Sequence, residues 1–156
     1  MSASSIVGID PGLSGGIVQL AVDGTSSTVD VSVYKMPTTE RDLWDLLEVF
    51  RKTSDRVVIE NVHSSPQMGV TSAFTFGRGV GGLHMALVGL RYRVDSVTPQ
   101  KWRRALQCAP ATPAQLGKKD TTLTRARAQE LFPHIRITNW NTDALLIAEY
   151  GRRFIP

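Results

Sequence analysis

The sequence lacks the features that define several large classes of protein. It contains a single cysteine, Cys108, in 156 residues, so no internal disulfide can form and a reducing compartment is favoured. No apolar run approaches the roughly 18 residues of a membrane-spanning helix, and the opening MSASS carries no basic residue of a secretory signal. We therefore expect a cytoplasmic protein that acts away from the membrane.

The composition is that of one globular domain. Hydrophobic residues make up 42% of the chain and charged residues 21%, and this length suffices for one core but not for two. The net charge of +4 is unevenly distributed, because residues 101–156 hold 10 Lys and Arg against 4 Asp and Glu. Such an excess suits a polyanionic partner such as DNA, although basic clusters can also be solvated helix faces.

Hydrophobic periodicity alternates between two and 3.6 residues and predicts the element order β-β-β-α-β-α-β-α-α-α. This order predicts an α/β fold with a five-stranded mixed sheet flanked by helices, in one domain over residues 1–156. The predicted strands are Ile6–Asp10, Gly16–Val22, Thr28–Lys35, Arg56–Val62 and Tyr92–Val97. The predicted helices are Thr39–Thr53, Thr71–Val88, Pro99–Leu106, Lys119–Leu131 and about Trp140 to Arg153.

Two buried strands end in a carboxylate. Asp10 closes the first strand and Glu60 lies near the end of the fourth. Functional residues collect at the carboxyl ends of strands in largely parallel sheets, and an acid in an apolar strand is costly unless a cation meets it. Asp10 could instead accept N–H groups of its own turn, so its position alone leaves both interpretations open.

A third acid, Asp143, lies near the start of the last helix, where an N-cap or helix-dipole role is the ordinary explanation. Together with Asp10 and Glu60 it completes an all-oxygen ligand set without a Cys/His cluster, which suits Mg²⁺ or Mn²⁺. Two such ions about 3.5–4 Å apart support phosphodiester hydrolysis. The sequence therefore predicts a two-metal nuclease.

Six motifs, in order along nearly the whole chain, resemble the RuvC family of Holliday junction resolvases in its compact phage-type form. The resemblance implies an RNase H-like fold and a homodimeric endonuclease that cuts two opposed strands of a four-way DNA junction with Mg²⁺ or Mn²⁺. Asp10, Glu60 and Asp143 match the family's metal-binding acids. The motifs are GIDPGLSGG, VVIENV, SAFTFGRGVGGL, VTPQKWRRAL, KKDTTLTRARAQELFP and TDALLIAEYGRR.

The sequence departs from the family at its fourth acid, which lies one helical turn before the last one. Here Asn139 stands four residues before Asp143, a spacing that predicts one shared helix face. Either the natural protein works with an uncharged ligand, or an Asp was replaced by Asn, or another acid serves. Glu149 is a poor substitute, and a surface ion pair with Arg152 or Arg153 suits it better. We expect Asn139→Asp to raise activity or lower the metal requirement.

Several residues are candidate DNA contacts. His63 follows Glu60 by three residues, where the family often has an aromatic that stacks on an unpaired base, although it could be an ordinary loop histidine. Lys101 and the pair at 118–119 resemble the family's phosphate-binding lysines, and Lys119 is also a catalytic candidate. Each could equally be a solvated surface lysine. The full set is His63, Arg78, Lys101, Arg104, Lys118 and Lys119.

The glycine-rich run FGRGVGGLHMALVGL lacks the lysine and spacing of a nucleotide-binding loop. Helical glycines cost about 1 kcal/mol each relative to alanine, so we expect close packing there, at a dimer interface, with Arg78 reaching toward DNA. Trp44, Trp102 and Cys108 are expected to be packing residues. Two other functions fit parts of the sequence: a sugar-kinase or actin-like ATPase, for which the chain is too short, and a junction-binding protein that has lost cutting.

Overall fold

The computed structural model describes residues 4–22, 28–108 and 120–156, and within them the element order is the predicted one. Every boundary lies within two residues of its prediction. The strands are β1 (Ser4–Asp10), β2 (Gly16–Val22), β3 (Val29–Lys35), β4 (Arg56–Glu60) and β5 (Arg93–Val97). The helices are α1 (Glu40–Arg51), α2 (Val70–Gly89), α3 (Pro99–Ala105), α4 (Asp120–Leu131) and α5 (Thr142–Phe154).

The five strands form one mixed sheet in the order β3-β2-β1-β4-β5. Strands β1, β2 and β3 are antiparallel neighbours, whereas β1, β4 and β5 run parallel. β1 lies at the centre and is buried on both faces over residues 5–9, which explains its apolar run at residues 6–9. β3 lies at an edge and alternates between half-buried and exposed residues, as its alternating sequence predicts. The predicted five-stranded mixed sheet is therefore confirmed.

Helices cover both faces of the sheet. Val7, Ile9 and Leu47 belong to the core on the α1 and α2 side, while Val58 and Leu145 belong to the core on the side of α3, α4 and α5. The long apolar segment of α5 fits this position, because residues 144–151 of α5 are all buried. No helix in the described part of the chain is both long and apolar enough to cross a bilayer.

The central helix α5 lies directly on β1 because position 8 is glycine. A Cβ atom at Gly8 would stand 2.6 Å from the carbonyl oxygen of Ala144, which is backbone and cannot yield cheaply. Near the other end of the contact, a Cβ at Gly151 would stand 2.5 Å from side-chain atoms of Ile6 and Val58. α5 therefore runs antiparallel to β1, with its first turn beside the carboxyl end of β1.

Candidate active site

Asp10 and Glu60 lie on the same face of the sheet at its carboxyl edge. β1 and β4 are parallel neighbours with Ile9 paired to Ile59, so the residues that follow each of these stand side by side. Side chains alternate along a strand, and because Ile9 and Ile59 point to the α1–α2 core, Asp10 and Glu60 point to the opposite face. That face is covered by α3 and α5.

Asp143 joins this pair from the first turn of α5. The close contact between α5 and Gly8 sets the helix so that its N-terminal end lies at the same edge as Asp10. Asp143 is not the N-cap residue, because Asn141 holds that position and its Oδ1 accepts from the backbone N–H of Thr138 at 2.8 Å. The N-cap interpretation of Asp143 is therefore wrong, and only the favourable helix dipole remains.

The three acids interact electrostatically. The pKa of Asp10 is raised to about 7, chiefly by burial and then by the negative charges of Glu60 and Asp143, while the Gly12 N–H and Arg103 oppose the rise. Burial and the Asp143 charge also raise the pKa of Glu60, against a hydrogen bond from Trp102 and the charge of Arg103. Neighbouring carboxylates raise one another's pKa when too few cations lie near them to balance their charge. Clusters of this kind are concentrated at functional sites.

The glycine turn fixes the position of Asp10 but gives its carboxylate little hydrogen bonding. Gly15 N–H closes the turn on the Gly12 carbonyl at 2.9 Å, and a Cβ at Gly15 would stand 2.8 Å from the Asp10 carboxyl carbon. The N–H of Gly12 approaches Asp10 Oδ1 only to 3.5 Å, at the limit of a hydrogen bond. A turn-acceptor role therefore accounts for little of the placement of Asp10.

Helix α3 supplies two site residues that sequence reasoning missed. Trp102 was expected only to pack; it is fully buried, and its indole Nε1 also donates to Glu60 Oε1 at 2.9 Å. Arg103 Nη2 lies 3.7 Å from Asp143 Oδ2, and its guanidinium carbon lies 5.1 Å from the centre of the Trp102 ring. The only sequence signal was that α3 follows β5 at the carboxyl edge, within the basic cluster KWRR.

The donor set has the chemistry that Mg²⁺ or Mn²⁺ prefers, namely carboxylate oxygens partly withdrawn from water. The side chains are not arranged for metal binding in this structure. Within residues 4–22, 28–108 and 120–156 there is no group of three or more His, Cys, Asp or Glu that could hold a metal ion. Glu60 and Asp143 act on the pKa of Asp10, and Asp143 acts on the pKa of Glu60, so the three acids lie near one another. The three carboxylates therefore match a divalent cation in the type of ligand they offer.

Asn139 lies apart from the helix face on which it was predicted. α5 begins at Thr142, two residues later than expected, so Asn139 belongs to the preceding turn and the four-residue spacing from Asp143 is not a helical one. Its exposed side chain accepts from Arg125 Nη1 of α4 at 3.1 Å. A place for Asn139 among the catalytic residues stays a prediction.

Glu149 is buried, which corrects its expected place at the helix surface. Its side chain is 4% exposed and pairs with both arginines that were suggested as partners. Arg152 contacts both carboxylate oxygens at 2.7 Å, and Arg153 Nε donates to Oε1. Glu149 is thus a structural acid, on the same helix as Asp143 but fully engaged by cations.

The predicted DNA contacts are distributed around this edge. His63 is exposed in the segment between β4 and α2, and Lys101 and Arg104 are exposed on α3 beside the acids. Arg78 pairs with Glu40 at 2.6 Å and lines a groove of about 270 Å³ that also includes Pro11 from the Asp10 turn. Lys118 and Lys119 lie outside the described residues.

Comparison with known proteins identifies the fold. No protein-family model matches the chain, and no curated protein matches it in sequence. Thermus thermophilus RuvC matches with a TM-score of 0.64 at 19% identity, covering 95% of both chains. T. thermophilus RuvC in complex with Holliday junction substrate matches at 0.64 and 18%, again over 95% of both. The predicted RNase H-like fold of the RuvC type is confirmed.

Proposed function

We propose that this chain, which has the RuvC fold, is a metal-dependent endonuclease that resolves four-way DNA junctions by paired symmetric nicks. The observation that carries the proposal is the meeting of Asp10, Glu60 and Asp143, from three separate elements, at the carboxyl edge of the sheet. The raised pKa values of Asp10 and Glu60 mark a site short of positive charge, and Lys101 and Arg104 are exposed on the neighbouring helix α3. Its place of action is the cytoplasm.

Asp10, Glu60 and Asp143 would hold two Mg²⁺ ions, or Mn²⁺ in their place. When bound, such ions supply an activated water and stabilise the leaving oxygen of the phosphodiester. The acids themselves orient the donor oxygens and exclude bulk water, since each side chain is half-buried and fixed at the end of a rigid strand or helix.

Positive side chains around the edge suit the DNA backbone. Arg103 lies among the acids and is placed to meet a phosphate oxygen near Asp143, while Lys101 and Arg104 stand exposed on the same helix. Arg78 lines the groove beside the Asp10 turn. Phosphate contacts of this kind give affinity and position rather than sequence selectivity. His63, Lys118 and Lys119 complete the proposed DNA surface.

A homodimer is proposed through α2, which carries an apolar stripe on the side opposite its buried residues. At about 100° per residue the stripe falls within roughly 80° of the helix circumference. Its large side chains are 67–88% exposed. Apart from the backbone of the helix itself, nothing within residues 4–22, 28–108 and 120–156 lies within 4 Å of a Cβ built at Gly77 or Gly81. The stripe consists of Val70, Phe74, Gly77, Gly81, Met85 and Val88.

The stripe is nearly symmetric about position 79, so a two-fold axis near that position would bring residues of similar size together. In an antiparallel pair, large side chains of one copy meet large ones of the other at both ends and glycines meet in the middle, where the backbones can approach closely. The pairs would be Val70 with Val88, Phe74 with Met85, and Gly77 with Gly81. This arrangement explains the glycines at positions 77 and 81, on which no described residue of the same chain packs.

The dimer is tested by light scattering after gel filtration. Phe74→Glu should shift the protein toward the monomer, because it places a charge at the centre of each half of the interface. Val49→Glu is the matched control, since Val49 is also an exposed apolar residue, at 57%, but on α1. Equal masses for Phe74→Glu and the control, both dimeric, would exclude this interface.

The function is tested with a synthetic four-way junction labelled on each strand in turn. Paired nicks at symmetric positions that require Mg²⁺ or Mn²⁺ and disappear with EDTA support the resolvase. A shifted but uncut junction, at any metal concentration, would favour the second candidate, a junction-binding protein impaired in cutting. That candidate is favoured by Asn139, which stands near the place of the family's fourth acid and engages Arg125 instead.

A further inference from the structure

We propose that Trp102 is a positioning residue for Glu60: its indole N–H holds one carboxylate oxygen so that the other stays directed into the proposed metal site. The inference rests on the proposed function for the identity of the ligand, a divalent cation. The role of Trp102 is argued from its contact with Glu60. Nothing in the comparisons assigns a role to this tryptophan.

The contact is buried and specific. Trp102 is 0% exposed, and a buried indole N–H must find an acceptor or lose the free energy of a hydrogen bond. The acceptor is Glu60 Oε1, at 2.9 Å and 42 residues away along the chain. Because indole nitrogen is a donor only, it constrains the carboxylate without competing with the acid for a cation.

The ring itself is held on several sides. Its helix is N-capped by Thr98, whose backbone carbonyl accepts from the N–H of Trp102 at 3.3 Å. The indole belongs to the core that contains Leu106 and Leu145, and Arg103 stacks over it. A ring packed in this way limits the positions that Glu60 Oε1 can take while the hydrogen bond is made. The carboxylate of Asp10, by comparison, accepts a long contact from the N–H of Gly12 at 3.5 Å.

Groups that orient a metal ligand commonly change metal affinity when removed, by about 10- to 100-fold. We therefore expect Trp102→Phe to weaken Mn²⁺ binding, measured directly by electron paramagnetic resonance of the free ion, by about tenfold. Trp44→Phe is the matched control, because Trp44 lies on α1 near Gly89 and away from the acids. In a Glu60→Gln background Trp102→Phe should have no further effect.

A nuclear magnetic resonance experiment tests the contact without altering Trp102. The chain has three tryptophans, so its ¹⁵N spectrum has three indole signals, which single Phe variants assign. The Trp102 signal should move in Glu60→Gln and during a Mg²⁺ titration, whereas the Trp44 signal should not. This readout also serves if Trp102→Phe fails to fold.

The inference is overturned if the Trp102 signal is unchanged in Glu60→Gln, or if folded Trp102→Phe binds Mn²⁺ as the wild type does. The proposed function fails in a different way, through absence of junction cleavage by the wild type with metal present. Because indole shifts and Mn²⁺ affinity are measured without DNA, the two failures are distinguishable.

Discussion

The two ends of α5 place carboxylates in opposite electrostatic surroundings. Near the N-terminal end, Asp143 joins Asp10 and Glu60, and the pKa values of Asp10 and Glu60 are raised. Toward the C-terminal end, burial also acts to raise the pKa of Glu149, but hydrogen bonds and charges from two arginines outweigh it and the pKa is lowered. Burial is common to both regions, so the number of neighbouring cations decides the difference.

This contrast separates a structural acid from functional ones. Glu149 is neutralised within the fold by Arg152 and Arg153, and both of its oxygens are engaged. At the other end, the charge of Arg103 acts to lower the pKa values of Asp10 and Glu60, and its guanidinium lies near Asp143. A fold tolerates such an imbalance when an external cation completes the site.

The largest expected effect comes from removing a charge at the functional end. Asp10→Asn, Glu60→Gln or Asp143→Asn should each reduce junction cleavage by at least about 100-fold, since loss of a ligand costs more than the roughly 10- to 100-fold of an outer contact. Junction binding should remain, because phosphates carry the affinity. Glu149→Gln, measured in the same gel assay while folded, should cut normally. Cleavage near the wild-type rate by any of the three variants would contradict the metal-site proposal.

Stability should show the reverse pattern. Glu149→Gln removes the charge that pairs two arginines and leaves a buried amide, and we expect a loss of about 1–3 kcal/mol in the free energy of unfolding. This loss of stability is small for a buried ion pair, because both arginines are about one third exposed and can be hydrated. Asp143→Asn should cost far less. Urea denaturation in EDTA measures both, and equal losses would remove the distinction between the two regions.

The pH dependence of stability should have opposite signs at the two ends. The folded pKa of Asp10, about 7, lies above its ordinary value of 3.8, so the folded state binds more protons between them and stability falls as pH rises from about 4 to 7. Glu149 has a lowered folded pKa, so its contribution is present above its ordinary pKa and is lost as pH falls.

Denaturation of the metal-free protein across this range checks the sign. In Asp10→Asn the decline between pH 4 and 7 should be reduced relative to the wild type, whereas in Glu149→Gln it should persist. An unchanged pH profile in Asp10→Asn would mean that Asp10 does not titrate in this range.

The smallest effect is expected at Asn139. The sequence predicts that Asn139→Asp raises activity, but the structure turns this side chain to Arg125 at 3.1 Å. An aspartate there would form an exposed ion pair, worth about 0–1 kcal/mol. We therefore expect cleavage rate and half-saturating Mg²⁺ to stay within about twofold. A clear fall in the Mg²⁺ requirement, in a titration of cleavage rate, would place residue 139 in the metal site.

Much of the fold followed from local pattern. Short apolar runs joined by the glycine turn predict β1 and β2, and period-two alternation predicts β3. The spacing of Leu43, Leu47 and Phe50 predicts α1, capped by Thr39 as expected. The same local signals mark Asp10 and Glu60 as acids at strand ends. The start of α5 was predicted two residues early, because the turn at residues 139–141 resembles a helix start in sequence, and this shift altered the interpretation of Asn139.

The sequence by itself determined the element order and the strands and helix that deliver Asp10, Glu60 and Asp143, because periodicity and strand ends are properties of neighbouring residues. Tertiary structure alone decided which groups those acids meet. Trp102 and Glu60 are 42 residues apart, and Arg103 lies near Asp143 only because α3 and α5 share one face of the sheet. Hydrogen bonds and charges act through distance in space, which periodicity along the chain does not encode.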